Sequence, residues 1–194
     1  MNFLAHLYLA QPNIPSRVGN LLGDFAKGLD SSQLSPAVAA GLRNHRAVDL
    51  FTDRHPLVGE MKACFSPQRR RFSGIALDVL FDHFLLQHWQ RYCVQPKQQF
   101  ITEIYEDLLA GQSLMPEVMQ RTTLRIVEQN WFASYETVEG VGFALDRIAA
   151  RIRFQNRFSG VEEELISHYD RFEGGFLEFF PQLLAEVRRR GEES

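Results

Sequence analysis

The chain has 194 residues, is 45% hydrophobic, contains 16 phenylalanines and carries a net charge of −3. That is long and apolar enough for one domain with a sizeable core, and it excludes a disordered segment. The near-neutral balance gives a nucleic-acid partner no support, and two isolated cysteines, Cys64 and Cys93, exclude a disulfide framework or a thiolate zinc knuckle.

Proline punctuation and helical periodicity divide the chain into helices near 2–10, 16–28, 36–54, 69–93, 97–110, 116–134, 137–154 and 160–190. The first run is apolar but short. It lacks a basic leader and is interrupted by His6, so it reads as a helix rather than a signal peptide. No stretch approaches the roughly 20 apolar residues of a membrane span, and the cytoplasm is the expected compartment. Ser16, Ser35 and Ser159 stand at N-cap positions, and Pro36 and Pro116 suit a first helical turn. Residues 117–132 make an ordinary amphipathic helix. Period-two strands with Asn-Gly or Asp-Gly turns are absent, as are repeats and low-complexity linkers. The expected architecture is all-α: a compact, single-domain bundle of about seven or eight helices over 1–190, with a short tail at 191–194.

Acids and imidazoles on otherwise apolar helix faces are the informative departures. Asp78 and Asp82 stand four apart beside Ile75, Phe81, Leu85 and Trp89. His45, Asp49 and Asp53 form a second stripe at the same spacing, beside Leu42 and Val48. A carboxylate on an apolar face is costly unless a cation or strong donors meet it. Each residue also has a plain structural explanation. His6 and His88 can be satisfied core groups, Asp24 can cap a turn or bind an arginine, and Asp53 and His55 can simply end a helix. The joint pattern favours a metal cage, with chemistry in the first half and support in the second. Oxygen and imidazole ligands suit Mn²⁺, Mg²⁺, Fe²⁺ or Zn²⁺. Such a cage can activate water and polarise a phosphoryl oxygen, with Arg43 or Arg46 clamping phosphate. His83 points away from the main stripe, as a candidate acid or base. A di-iron carboxylate bundle is disfavoured because Glu-x-x-His is missing, and no Gly-rich phosphate loop, nucleophile elbow or dinucleotide fingerprint occurs.

These residues fall within blocks that resemble the acyl carrier protein phosphodiesterase family, also called acyl carrier protein hydrolases. The blocks are Met1-Asn2-Phe3-Leu4-Ala5-His6-Leu7, Gly19-Asn20-Leu21-Leu22-Gly23-Asp24-Phe25, His45-Arg46-x-x-Asp49-x-x-Thr52-Asp53 and Leu77-Asp78-x-x-x-Asp82-His83-Phe84-Leu85, continued by His88-Trp89. The resemblance implies an atypical, all-α branch of the HD phosphohydrolases. It implies removal of the 4′-phosphopantetheine arm from holo acyl carrier protein, with Mn²⁺ favoured. The usual His-Asp dipeptide is absent, and Asp82-His83 stands in reverse order. Ligands are therefore ranked for this chain: His6, Asp24, Asp78 and Asp82 first as metal ligands, with His45 and Asp49 close behind, while His45, Asp49 and His83 are the expected catalytic groups. Arg43, Arg46, Arg69, Arg70 and Arg71 are expected to bind the acidic substrate protein.

Two other readings compete. One keeps the metal and acts on a nucleotide or another small phosphate ester. The other is a non-enzymatic helical module in which Arg17, Arg43, Arg46 and Arg54 neutralise the acidic stripes internally. Oligomeric state is open, since Phe172 to Phe180 can pack internally or against a second subunit.

Overall fold

A computed structural model describes residues 1–193. Among them lie twelve α-helices and no strand: α1 Phe3–Leu9, α2 Ile14–Leu22, α3 Pro36–Arg54, α4 Pro56–Ala63, α5 Ser73–Gln87, α6 Trp89–Tyr92, α7 Lys97–Ala110, α8 Glu117–Glu128, α9 Trp131–Ser134, α10 Val138–Ala149, α11 Glu162–Ser167 and α12 Tyr169–Arg190. The all-α expectation holds. None of these helices is long and apolar enough to cross a membrane.

Some boundaries differ for physical reasons. Asn13, not Ser16, caps α2: its side chain accepts the Ser16 amide at 3.0 Å, with Pro15 just inside the helix. Ser35 caps α3 as expected, accepting from Val38. Pro56 opens α4 rather than only closing α3. Ser159 caps nothing; it donates to Asp146. The 160–190 run breaks into α11 and α12 at His168, while Pro181 is accommodated inside α12.

Helix α12 is the central pillar. Phe172, Phe176, Phe179 and Phe180 are all fully buried, so this segment packs internally. Phe176 meets Phe81 and Phe84, and Phe179 also meets Phe81, which seats α12 on α5. Complete burial of each such ring contributes roughly 2–3 kcal/mol.

The crossing of α2 and α3 rests on two glycines. A Cβ on Gly19 would stand 2.3 Å from the Val38 carbonyl oxygen, and one on Gly41 would stand 2.7 Å from that of Ser16. Bare backbones therefore touch, and the side chains of Asn20 and Asn44 hydrogen-bond across the seam at 2.9 Å. The expected loose tail also docks here. Glu193 accepts from Ser16 and Asn20, and Glu192 pairs with Arg43. Ser194 lies outside the described residues.

Candidate metal centre and adjoining pocket

The α2–α3 seam builds one side of the site. His45 Nδ1 lies 2.7 Å from the Asn20 carbonyl oxygen, which can only accept, so Nδ1 carries the proton. In the neutral ring Nε2 is then a lone pair, and it points at Asp49 Oδ2 at 3.0 Å. Gly23 makes room for this ring, because a Cβ there would fall 1.9 Å from His45 Cδ2. Asp49 reaches the same place because it lies one helical turn beyond His45.

Helix α1 supplies the other side. Its N-terminal amides from Leu4 and Ala5 donate to the two oxygens of Asp82, at 3.0 and 2.9 Å. That anchor on α5 fixes α1 in place, one residue before His6. The His6 ring stacks on His45 with centroids 3.8 Å apart, and its Nε2 stands 3.1 Å from Asp49 Oδ1. That approach is close but not directed as a hydrogen bond. Both ring nitrogens of the fully buried His6 lack a hydrogen-bond partner.

His6, His45 and Asp49 are the one group of three metal-ligating side chains, among the described residues, whose ligand atoms lie within 4.8 Å of one another. Burial holds His6 down to about 3, so it stays in the neutral form that binds metals. Burial alone would raise the Asp49 carboxyl; contacts with His45 and His6 and the charge of the Met1 ammonium hold it well below the usual range instead. That ammonium is fully buried, 3.2 Å from Asp49 and 2.9 Å from Asp78. It brings one positive charge to a region holding Asp24, Asp49 and Asp78. A divalent cation fits this donor set. It would give the orphaned His6 nitrogen a partner and separate the His45 lone pair from the Asp49 oxygen.

A cavity of about 530 Å³ adjoins this centre, within the range of small-ligand clefts. Its lining includes Met1, Asn2, Asp24 and Asp78 from the first half of the chain and Trp131, Phe143, Arg147 and Arg151 from the second. The second half of the chain thus supplies much of the pocket and is more than a support. Asp24 projects into this cleft, where the surrounding protein lifts its carboxyl to about 6.

The expected site residues therefore divide. His6, His45 and Asp49 converge, and Asp24 and Asp78 line the neighbouring cavity. Asp82, expected as a ligand, is instead the anchor of α1; burial lifts it to about 7 against the pull of its two amide donors. His83 is buried outside the cavity wall, its Nδ1 donating to the Tyr135 carbonyl and its Nε2 accepting from the Tyr169 hydroxyl, both at 2.8 Å.

The basic knot is also committed to packing. Arg69 pairs with Glu164 and donates to the carbonyls of Arg157 and Ser159, which ties down the segment before α11. Arg70 donates to Ala63 and Phe65, and Arg71 lies over Phe72 and Phe154. Arg43 and Arg46 are exposed on α3. The internal Arg–Asp network of the competing, non-enzymatic reading is not formed: Arg17 pairs with Asp107 and Arg43 with Glu192, and among the described residues no guanidinium pairs with Asp24, Asp49 or Asp78.

Gly23, Asn20 and Arg147 are not among the expected site residues. The first two lie inside the block from Gly19 to Phe25, where a pair of glycines flanks a polar residue on an apolar helix. Arg147 gave no signal, because a charged residue on an amphipathic helix reads as a solvated face.

Known proteins resemble this chain along nearly its whole length. The family model described as acyl carrier protein phosphodiesterase matches residues 1–183. A Serratia proteamaculans protein of that name is 34% identical over 191 residues, 97% of this chain and 98% of its own. One from Pectobacterium atrosepticum is 35% identical over 185 residues, 95% of this chain and 96% of its own. One from Escherichia coli is 32% identical over 191 residues, 98% of this chain and 99% of its own. No solved structure matches the chain.

Proposed function

The chain belongs to the acyl carrier protein phosphodiesterase family, and from that membership we propose that it hydrolyses the 4′-phosphopantetheine arm from holo acyl carrier protein, in a reaction that depends on a divalent metal, Mn²⁺ foremost. The products are apo carrier protein and free 4′-phosphopantetheine. The single observation that carries the metal dependence is the convergence of His6, His45 and Asp49, with unpartnered nitrogens on a fully buried imidazole.

His6, His45 and Asp49 would hold the metal. When bound, it supplies a Lewis acid for the phosphoryl oxygen and for water. The remaining work belongs to the protein. Asn20 fixes the His45 tautomer, and Gly23 leaves space for the ring. Asp24, which lines the cleft, is the pocket carboxylate placed to take a proton from the attacking water or give one to the departing serine oxygen. Asp78 orients the Met1 ammonium against Asp49. The apolar wall excludes water from around the arm. Outside the pocket, exposed Arg43 and Arg46 on α3 meet the acidic carrier protein, so KM rises with salt over a Debye length of about 8–10 Å. The compartment is the cytoplasm.

The test is incubation with holo carrier protein and Mn²⁺, with and without EDTA, read by intact mass. Loss of the arm only with metal supports the reading. An unchanged mass with metal present, or hydrolysis of free nucleotides in preference, contradicts it.

A further inference from the structure

Arg147 stands on the cavity wall among the second-half residues, in the same cleft as Asp24 and Asp78. Among the described residues it pairs with no carboxylate. Its guanidinium lies over two aromatic rings instead, 5.8 Å from the Trp131 centroid and 5.9 Å from that of Phe143, and its NH1 lies 3.4 Å from Gln129 Oε1. Arg151, just beyond the end of α10, also lines the cleft. Asp146, the acid beside Arg147 in sequence, is occupied by Ser159 and the Gly160 amide, both at 2.9 Å. Phe143, one turn before Arg147, is 64% exposed.

A guanidinium without a carboxylate partner among the described residues, in a mainly apolar cleft whose other charged lining side chains are Asp24, Asp78 and Arg151, is open to an anion of the substrate. A fork of donors stacked on aromatic rings suits a phosphoryl group, while the flanking rings suit an extended, amide-bearing chain. We propose that Arg147, supported by Arg151, binds the substrate's phosphate, and that Phe143 and Trp131 flank the arm beyond it. This rests on the hydrolase reading above and names the residues that read its substrate. It takes the phosphate-clamping role expected of Arg43 or Arg46, which lie exposed on α3 and do not line the cleft. The shared chemistry is a phosphate ester, carried either by the protein-linked arm or by a free nucleotide.

The experiment compares wild type, Arg147→Ala, Arg147→Lys and, as a surface-charge control, Arg121→Ala, each in the metal-loaded enzyme. Kinetics on holo carrier protein are read beside calorimetric binding of 4′-phosphopantetheine, pantetheine without phosphate, and adenosine 5′-monophosphate. Arg147→Ala is expected to raise KM and weaken 4′-phosphopantetheine binding by about 10- to 100-fold, the scale of a lost charged hydrogen bond. Its kcat changes much less, and pantetheine binding stays at the wild-type value. Arg147→Lys recovers part of the loss, and it supplies the answer if the alanine variant fails to fold. Wild-type KM and product affinity in either foldable variant, with turnover intact, overturn the proposal. So does a loss of equal size for pantetheine, or tighter wild-type binding of adenosine 5′-monophosphate than of 4′-phosphopantetheine. If wild type itself leaves holo carrier protein intact, the hydrolase reading fails instead, and the two failures are told apart.

Discussion

His45 and Asp49 face each other across one turn of α3, Nε2 to Oδ2 at 3.0 Å, while the Asn20 carbonyl claims the other ring nitrogen of His45. A lone pair aimed at a carboxylate oxygen is stable only with a proton or a cation between them. His6, neutral and stacked on His45, closes the third side. The arrangement is therefore built around a positive charge, and its consequences can be measured.

Metal should stabilise the fold. At 100 times its dissociation constant, Mn²⁺ adds about 2.7 kcal/mol, seen as a raised midpoint in thermal melts. The increment should vanish in His45→Ala and persist in Arg69→Ala, whose arginine ties the segment before α11 instead.

Gly23→Ala should cost function more than stability. The new Cβ would collide with His45 Cδ2 at 1.9 Å, and the ring must move. A displacement near 1 Å at a catalytic group costs about 10²-fold in rate. Steady-state kinetics with saturating metal check it; wild-type turnover would show that the ring position is immaterial.

Gly19→Ala should behave in the opposite sense. Its Cβ meets backbone, the Val38 carbonyl oxygen at 2.3 Å, so α2 and α3 must separate. Overpacking of this kind costs about 1–3 kcal/mol, read from the urea midpoint. Metal affinity should fall with it, because the Asn20–His45 contact spans the same seam.

Asp82 gives a pH signature. Its carboxyl is lifted from 3.8 to about 7 in the folded chain, so between those values the folded state binds more protons than the unfolded one. The Asp82 contribution to the stability of the metal-free protein should therefore fall as pH rises from about 4 to about 7, while His6, held down to about 3, contributes with the opposite sign. Asp82→Asn removes the Asp82 contribution, so its stability should fall less or rise more than that of wild type over this range, while it keeps one oxygen to accept an α1 amide. Denaturant midpoints across that range check the sign; an unchanged slope in the variant would refute the assignment.

Much of this was legible in the residues. Ser35-Pro36 and His55-Pro56 bracket α3 as read, and the His45/Asp49 spacing announces one face. What escaped was tertiary. A buried acid on an apolar face needs donors, but spacing alone does not say whether a metal or the amides of another helix supply them. Asp82 went to α1, whereas Asp49 met two imidazoles. Likewise Arg69 and Arg147 look alike in sequence, and only packing separates a clamp on a loop from a cation on a pocket wall.

The central claim is that His6, His45 and Asp49 form the metal site. Its most direct test is the manganese content of wild type and of His6→Ala, His45→Ala, Asp49→Asn and Asp82→Asn after loading and gel filtration. The account predicts bound metal in wild type and Asp82→Asn, and its loss in the other three. Full metal retention in folded His6→Ala, His45→Ala and Asp49→Asn would contradict it.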